Sequence, residues 1–215
     1  MIRLLSVGKT TIDVEASFLI ICALFVLSDF QSAGIQYALL WVPVLFVSVA
    51  LHELAHAGAS AMFGYGGSRI VLAGLGGFTM NTAKKRPWHD MVISFAGPAS
   101  SFVIAFAASR IPARDPMLAA LLPLLTQANI FWGIFNLVPV SPLDGGHVVR
   151  NFLRTFLRDR TAFIIAIWVA FIAGAVVIAI SIVVKYYILA FLIAWYVWMN
   201  FQQWQYFRTH GFPGD

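Results

Sequence analysis

The chain has 215 residues, of which 60% are hydrophobic and 11% charged, and its formal net charge is +5. So little polar surface cannot cover a soluble fold of this size, so an ordinary soluble globular class is excluded. The basic residues flank apolar runs rather than forming a polar face, which gives a nucleic-acid partner little support, and the lone Cys22 excludes an internal disulfide framework.

The first 15 residues do not have the design of a cleaved signal peptide, because Asp13 and Glu15 stand where basic residues belong. Their strand-like composition predicts a short β segment. Apolar runs then predict six spans at about 16–30, 36–63, 88–109, 117–140, 161–184 and 186–207, each near the ~20 residues that cross a bilayer. The first is short, with Glu15 and Asp29 at its ends. Cys22 reads as a small apolar filler within it. Between the second and third spans, the glycine-rich stretch around Ile70-Val71 and Phe78-Thr79 predicts a hairpin or bulged strand, able to pair with the N-terminal segment. Residues 147–158 predict an interfacial helix, with apolar residues at helical spacing opposite Arg150, Arg154 and Arg158. The last two spans are parted only by Lys185 and Tyr186 and predict a tight helical hairpin. The expected fold is an all-α polytopic membrane protein, a single domain over 1–215, with a small β element at the membrane surface.

Six spans put both termini, the 64–87 connection and the 140–160 segment on one side. Of the 14 Lys and Arg residues, only Arg110, Arg114 and Lys185 fall on the other, which leaves 14 − 3 = 11 on the first. This bias predicts that both termini are cytoplasmic, in a cell (inner) membrane.

The second span carries His52-Glu53-Leu54-Ala55-His56, the HExxH signature of zinc proteases. Residues four apart share a helix face, so the two imidazoles can grip one Zn²⁺ ion. Glu53 can then act as general base toward the attacking water. Ionisable groups inside a span are costly and usually functional. A third ligand must come from elsewhere. The only other glutamate, Glu15, lies upstream, and Ala59 and Met62 rule out the extended HExxHxxGxxH form. Candidates are Asp90, Asp115, Asp144, Asp159, Asp215, His89, His147 and His210. Asp144 is favoured because it follows the helix-breaking Pro139 to Pro142 stretch and precedes Gly145-Gly146, so irregular backbone can aim it into the site. The competing reading is that Asp144 only caps the following helix. Two neutral imidazoles, one carboxylate and one hydroxide would balance the ion's charge.

The HELAH motif, followed by Asn136-Leu-Val-Pro-Val-Ser-Pro-Leu-Asp144-Gly-Gly, resembles the site-2 protease family of intramembrane zinc metalloproteases, with its HExxH and NxxPxxxLDG pair. Leu75-Gly76-Gly77 and Ala96-Gly97-Pro98 resemble that family's glycine-rich loop and third-span motif. The resemblance implies His52, His56 and Asp144 as ligands of one zinc, Glu53 as catalytic base and Asn136 lining the site. Asn136 could hold an oxyanion or the substrate backbone, or only satisfy the carbonyls freed near Pro139. It also implies hydrolysis of peptide bonds in or beside the transmembrane segments of membrane-protein substrates. The family's third-span motif often continues to an Asn, whereas Ser100 and Ser101 follow Ala99 here. The PDZ and CBS domains of many members do not fit, so the chain reads as a catalytic core. His89 reads as an interface residue, His147 as an interface residue or a support for the metal ligands, and Gln127 and Asn129 either wet a path to the metal or bond between helices. Two alternatives remain: a membrane zinc transporter, and a membrane zinc hydrolase of a non-peptide or lipidated substrate.

Overall fold

A computed structural model describes residues 2–7, 10–73, 76–80 and 86–212. Lys9, Leu75, Lys84, Lys85 and Asp215 lie outside the described residues. The described elements, in order, are β1 (Ile2–Val7), β2 (Thr10–Val14), α1 (Ala16–Ala33), α2 (Ile35–Ala38), α3 (Trp41–Met62), β3 (Arg69–Ala73), β4 (Gly76–Met80), α4 (Pro87–Arg110), α5 (Pro116–Asn136), α6 (Asp144–Phe156), α7 (Asp159–Val183) and α8 (Tyr187–His210). They cluster into two units whose residues alternate along the sequence, one of residues 1–84 and 96–133, the other of 85–95 and 134–215.

In the first unit, the strands form one sheet in the order β1-β2-β3-β4. The expected pairing of the N-terminal segment with the glycine-rich stretch is realised by β2 and β3, which run parallel with Ile12 opposite Ile70 and Val14 opposite Leu72. The flanking pairs are antiparallel. Central β3 buries Ile70, Val71 and Leu72 completely, as β-branched and aliphatic residues between two neighbours should. Asp13 is buried between two guanidiniums, with Arg69 Nε at 2.7 Å and Arg3 Nε at 3.3 Å. The hydrogen bond from Arg69 does most to hold its carboxyl below the usual range; burial opposes this, and Arg3 adds to the lowering. A depressed carboxyl stabilises the fold above its unfolded pKa of about 3.9 and loses that effect as pH falls through the lower folded value. Asp13→Asn should therefore speed hydrogen exchange of the β2–β3 amides at pH 7, and the difference from wild type should shrink as the medium becomes strongly acidic.

The core below the sheet brings together Phe18 and Cys22 of α1, Trp41, Val44, Leu45 and Val49 of α3, Ile70 and Leu72 of β3, and Leu124, Ala128 and Trp132 of α5. Cys22 is buried there as filler. Trp41 Nε1 donates to Asp29 Oδ2 at 2.6 Å, giving the indole its polar partner. The second expected span is interrupted near its start. Pro43 has no N–H to offer the Leu39 carbonyl, and α3 begins at Trp41 with that proline in its first turn.

In the second unit, α7 and α8 form the expected hairpin, turning at Lys185 (φ 63°). Gly174 admits Val197 where a Cβ would collide with it. Val140, Leu143, Ala170, Ile193 and Tyr196 make this unit's core. Two expected boundaries move here. The span expected to reach residue 140 ends at Asn136, and the helix expected from 147 starts at Asp144. Pro139 and Pro142 keep residues 137–143 out of helical backbone. Poor helix propensity placed Gly145-Gly146 outside the helix. Packing overrides it: a side chain at 145 would strike the Leu137 carbonyl, and one at 146 the Ser141 backbone.

Four of the described helices are long and apolar enough to cross a membrane: Ile35–Met62, Pro87–Arg110, Pro116–Asn136 and Asp159–Val183; α1 offers a shorter apolar run, Ala16–Phe30. Their outer faces expose Phe102, Val103 and Phe106 on α4 and Trp168, Ile172 and Val176 on α7. Such surface is stable only against lipid or another protein.

Candidate metal centre

Helix α3 buries one stripe, Trp41, Val44, Leu45, Ser48, Val49, His52, Glu53, His56, Ala57 and Ser60, at the 3.6-residue period of a helix packed on one side. The stripe is apolar at its start and ends in the ionisable residues. His52 and His56 are 1% and 6% exposed, with ring centroids 4.9 Å apart. Both Nε2 atoms crowd the single point that a Cβ of Gly97 would occupy. The two nitrogens therefore converge on a spot kept clear by a residue without a side chain, where α4 runs close against α3.

His52 Nδ1 lies 3.0 Å from the Oγ of Ser101, which is fully buried one turn beyond Gly97 on α4. Metal binding through Nε2 requires the proton on Nδ1, and Ser101 is placed to accept it. Ser101, one of the two serines that follow Ala99, thus has a polar partner in His52. Ser101→Ala should weaken zinc retention or turnover about 10–100-fold, read by chelator competition, and Ser101→Thr should restore it.

Glu53, 3% exposed, is gripped from the sheet. Thr79 Oγ1 on β4 lies 2.8 Å from Glu53 Oε2 and 3.2 Å from the Glu53 carbonyl oxygen. Gly77, on the same strand, passes so close to the Glu53 side chain that a Cβ there would overlap it. The β element therefore positions the carboxylate. Gly77 and Gly97 belong to motifs visible in the sequence, whereas Thr79 carried no motif signal, because its partner is 26 positions away.

In the second unit, Asn136 is the last residue of α5 and Asp144 the first of α6, both partly buried. Leu143 holds the N-cap position, so the capping reading of Asp144 does not match this backbone. Asn200 Nδ2 donates to the Ser141 carbonyl at 2.6 Å and so supports the irregular 137–143 segment. The first unit thus offers two imidazole nitrogens that converge, and the second offers the Asp144 carboxylate at the start of α6. Two imidazole nitrogens and one carboxylate, with a fourth position left over, are the donor set of a catalytic zinc.

The remaining polar candidates resolve differently. His89 stacks edge-on against Trp88 at 3.9 Å, and Gln127 is exposed. Asn129 bonds between helices, with Nδ2 donating to Ser48 Oγ at 2.9 Å.

The family model for peptidase family M50 matches residues 40–115 and 112–181. A zinc metalloprotease of Methanocaldococcus jannaschii is 31% identical over 156 residues, which cover 71% of this chain and 45% of that protein. A candidate zinc metalloprotease of Synechocystis sp. is 32% identical over 112 residues, covering 50% and 30%. This chain thus spans less than half the length of these relatives. The solved site-2 protease from Methanocaldococcus jannaschii shares the fold, with a TM-score of 0.62, 24% identity and 94% of each chain covered. With its long apolar helices, the chain is an integral membrane protein, mostly helical, with a small four-stranded sheet. Both matched segments together take in the histidine pair and Asp144, and the chain belongs to peptidase family M50.

Proposed function

We propose that the chain is an intramembrane zinc endopeptidase that cleaves peptide bonds in or next to the transmembrane segments of membrane-protein substrates. The observation that carries this reading is the convergence of the His52 and His56 Nε2 atoms beside Gly97, with Glu53 held next to them by Thr79. His52, His56 and Asp144 hold the metal, and the chemistry of two imidazoles and one carboxylate, the donor set of a catalytic zinc, supports that assignment. Bound zinc would lower the pKa of water toward neutrality and polarise the scissile carbonyl. Glu53 takes a proton from the attacking water and passes it to the leaving amine. Asn136 donates a hydrogen bond to the oxygen that becomes negative.

A substrate helix hides its carbonyls in i→i−4 hydrogen bonds and must unwind before cleavage. β4 is the edge of the sheet and carries the residue that holds Glu53, so an unwound segment adding there as a strand would run past the catalytic base. The whole chain, 1–215, acts as one domain in this reading. Helices α1 and α8 complete six spans, with both termini cytoplasmic in the inner membrane. The excess of Lys and Arg on that side supports the orientation.

Metal analysis of the wild type beside Asp144→Ala tests the assignment. The wild type should carry one zinc per chain and cleave a single-span peptide in detergent, and Asp144→Ala should lose both. Full zinc occupancy in Asp144→Ala would remove that residue from the ligand set.

A further inference from the structure

The second unit contains a cleft that plays no part in the chemistry above. Ser141, His147, Arg150, Phe163, Asn200 and Gln203 line it. It lies toward the start of α7 and the end of α8, at the opposite end of the hairpin from the Lys185 turn. The Arg150 guanidinium sits 5.3 Å over the Phe163 ring, and its Nε is buried with no hydrogen-bond partner. The nearby carboxylates of Asp159 and Asp90 offset part of its charge through space, but their hydrogen bonds go to other groups. Asp159 Oδ1 accepts from Arg154 Nε at 2.8 Å, and Asp90 Oδ2 accepts from Asn151 Nδ2 at 3.0 Å. The Asn200 amide is also spent, donating to the Ser141 and Tyr196 carbonyls.

Burial first, and the charge of Arg154 second, pull the Arg150 pKa below its ordinary value. A guanidinium nevertheless stays charged in a protein. A buried cation with an unused N–H is unfavourable until an anion meets it. The surroundings indicate which anion. Arg154, Arg158, Arg160 and Arg208 gather in the segments that meet at this end of the hairpin, and Arg208 lies 4.8 Å over Trp204. Arginines among tryptophan and tyrosine are the composition of a membrane–water interface facing anionic headgroups. Phe152 and Phe156 of α6 are exposed on the same element as Arg150, ready to enter the acyl boundary.

We propose that this cleft binds the phosphate group of an anionic phospholipid headgroup, with Arg150 as the main donor and Gln203 as the second. The Nε edge of a guanidinium presents two parallel N–H groups, a geometry suited to phosphate oxygens. This inference stands on the second unit alone, and its failure would leave the zinc reading untouched.

The test uses the full chain in neutral detergent, with phosphatidylglycerol, phosphatidylcholine or inorganic phosphate added. Native mass spectrometry reads retained lipid, and the thermal unfolding midpoint reads stabilisation. Phosphatidylglycerol should be retained and should raise the midpoint, whereas phosphatidylcholine should do neither. Arg150→Gln should weaken phosphatidylglycerol binding about tenfold, and Lys185→Gln, at the opposite end of the hairpin, should not. Inorganic phosphate that stabilises as well as the lipid, in an Arg150-dependent way, would uphold a phosphate site but overturn the lipid as occupant. Equal phosphatidylglycerol retention by Arg150→Gln and wild type would overturn the proposal. Should Arg150→Gln fail to fold, Gln203→Leu takes its place, and unchanged retention there overturns it equally.

Discussion

Replacing Glu53 with Gln should leave one zinc per chain and reduce cleavage of a single-span peptide about 10²–10⁴-fold, the usual contribution of a positioned general base. The substitution is isosteric. Its amide oxygen can still accept from Thr79 Oγ1, which lies 2.8 Å from Glu53 Oε2 in the native protein. The fold around β4 and α3 therefore has no reason to move. What is lost is the capacity to take a proton. Because both imidazoles and Asp144 are untouched, metal content separates loss of the base from loss of the site. A zinc transporter would behave in the opposite way, since carrying an ion needs ligands but no base, and Glu53→Gln would continue to move metal. Retention of full peptide cleavage by Glu53→Gln would exclude Glu53 as the base. Loss of zinc together with cleavage would place Glu53 among the ligands.

The parts legible in the sequence are those written in local period and spacing. His52 and His56 are four apart on a strongly apolar helix, so their shared face follows from helix geometry alone. The long apolar runs give most helices to within a few residues, and the Lys185 turn was visible as a break between two of them. Parallel pairing of β2 with β3 was foreseeable only as a possibility, because more than fifty residues separate the partners and no local signal sets that register. Boundaries failed where packing overrode propensity, as at Gly145-Gly146, which enter α6 despite being poor helix formers. The supporting contacts were the least legible. Ser101 reaches His52 across 49 positions and Thr79 reaches Glu53 across 26. A lone serine or threonine has no sequence feature that distinguishes such a role from a solvated hydroxyl.

Gly97→Ala should abolish zinc binding while leaving the helices intact. Gly97 lies in the interior of α4, where alanine is the better helix former, so the change cannot act by weakening that helix. Its effect is steric and local. The added Cβ would fall onto the Nε2 atoms of both His52 and His56. Neither ring can yield without turning the nitrogen that would hold the ion, and His52 is also tied through Nδ1 to Ser101. The loss should therefore exceed the roughly 10–100-fold seen when only an outer hydrogen bond to a ligand is removed, and cleavage should fall with it. Gly58→Ala is the matched control. It lies on α3, two residues beyond His56, with nothing within 4 Å of the added methyl. It should keep its zinc and gain up to about 1 kcal/mol from helix propensity. Circular dichroism and metal content of the two variants together decide the matter. A helical Gly97→Ala protein with wild-type zinc would mean that the metal does not lie where the two Nε2 atoms converge.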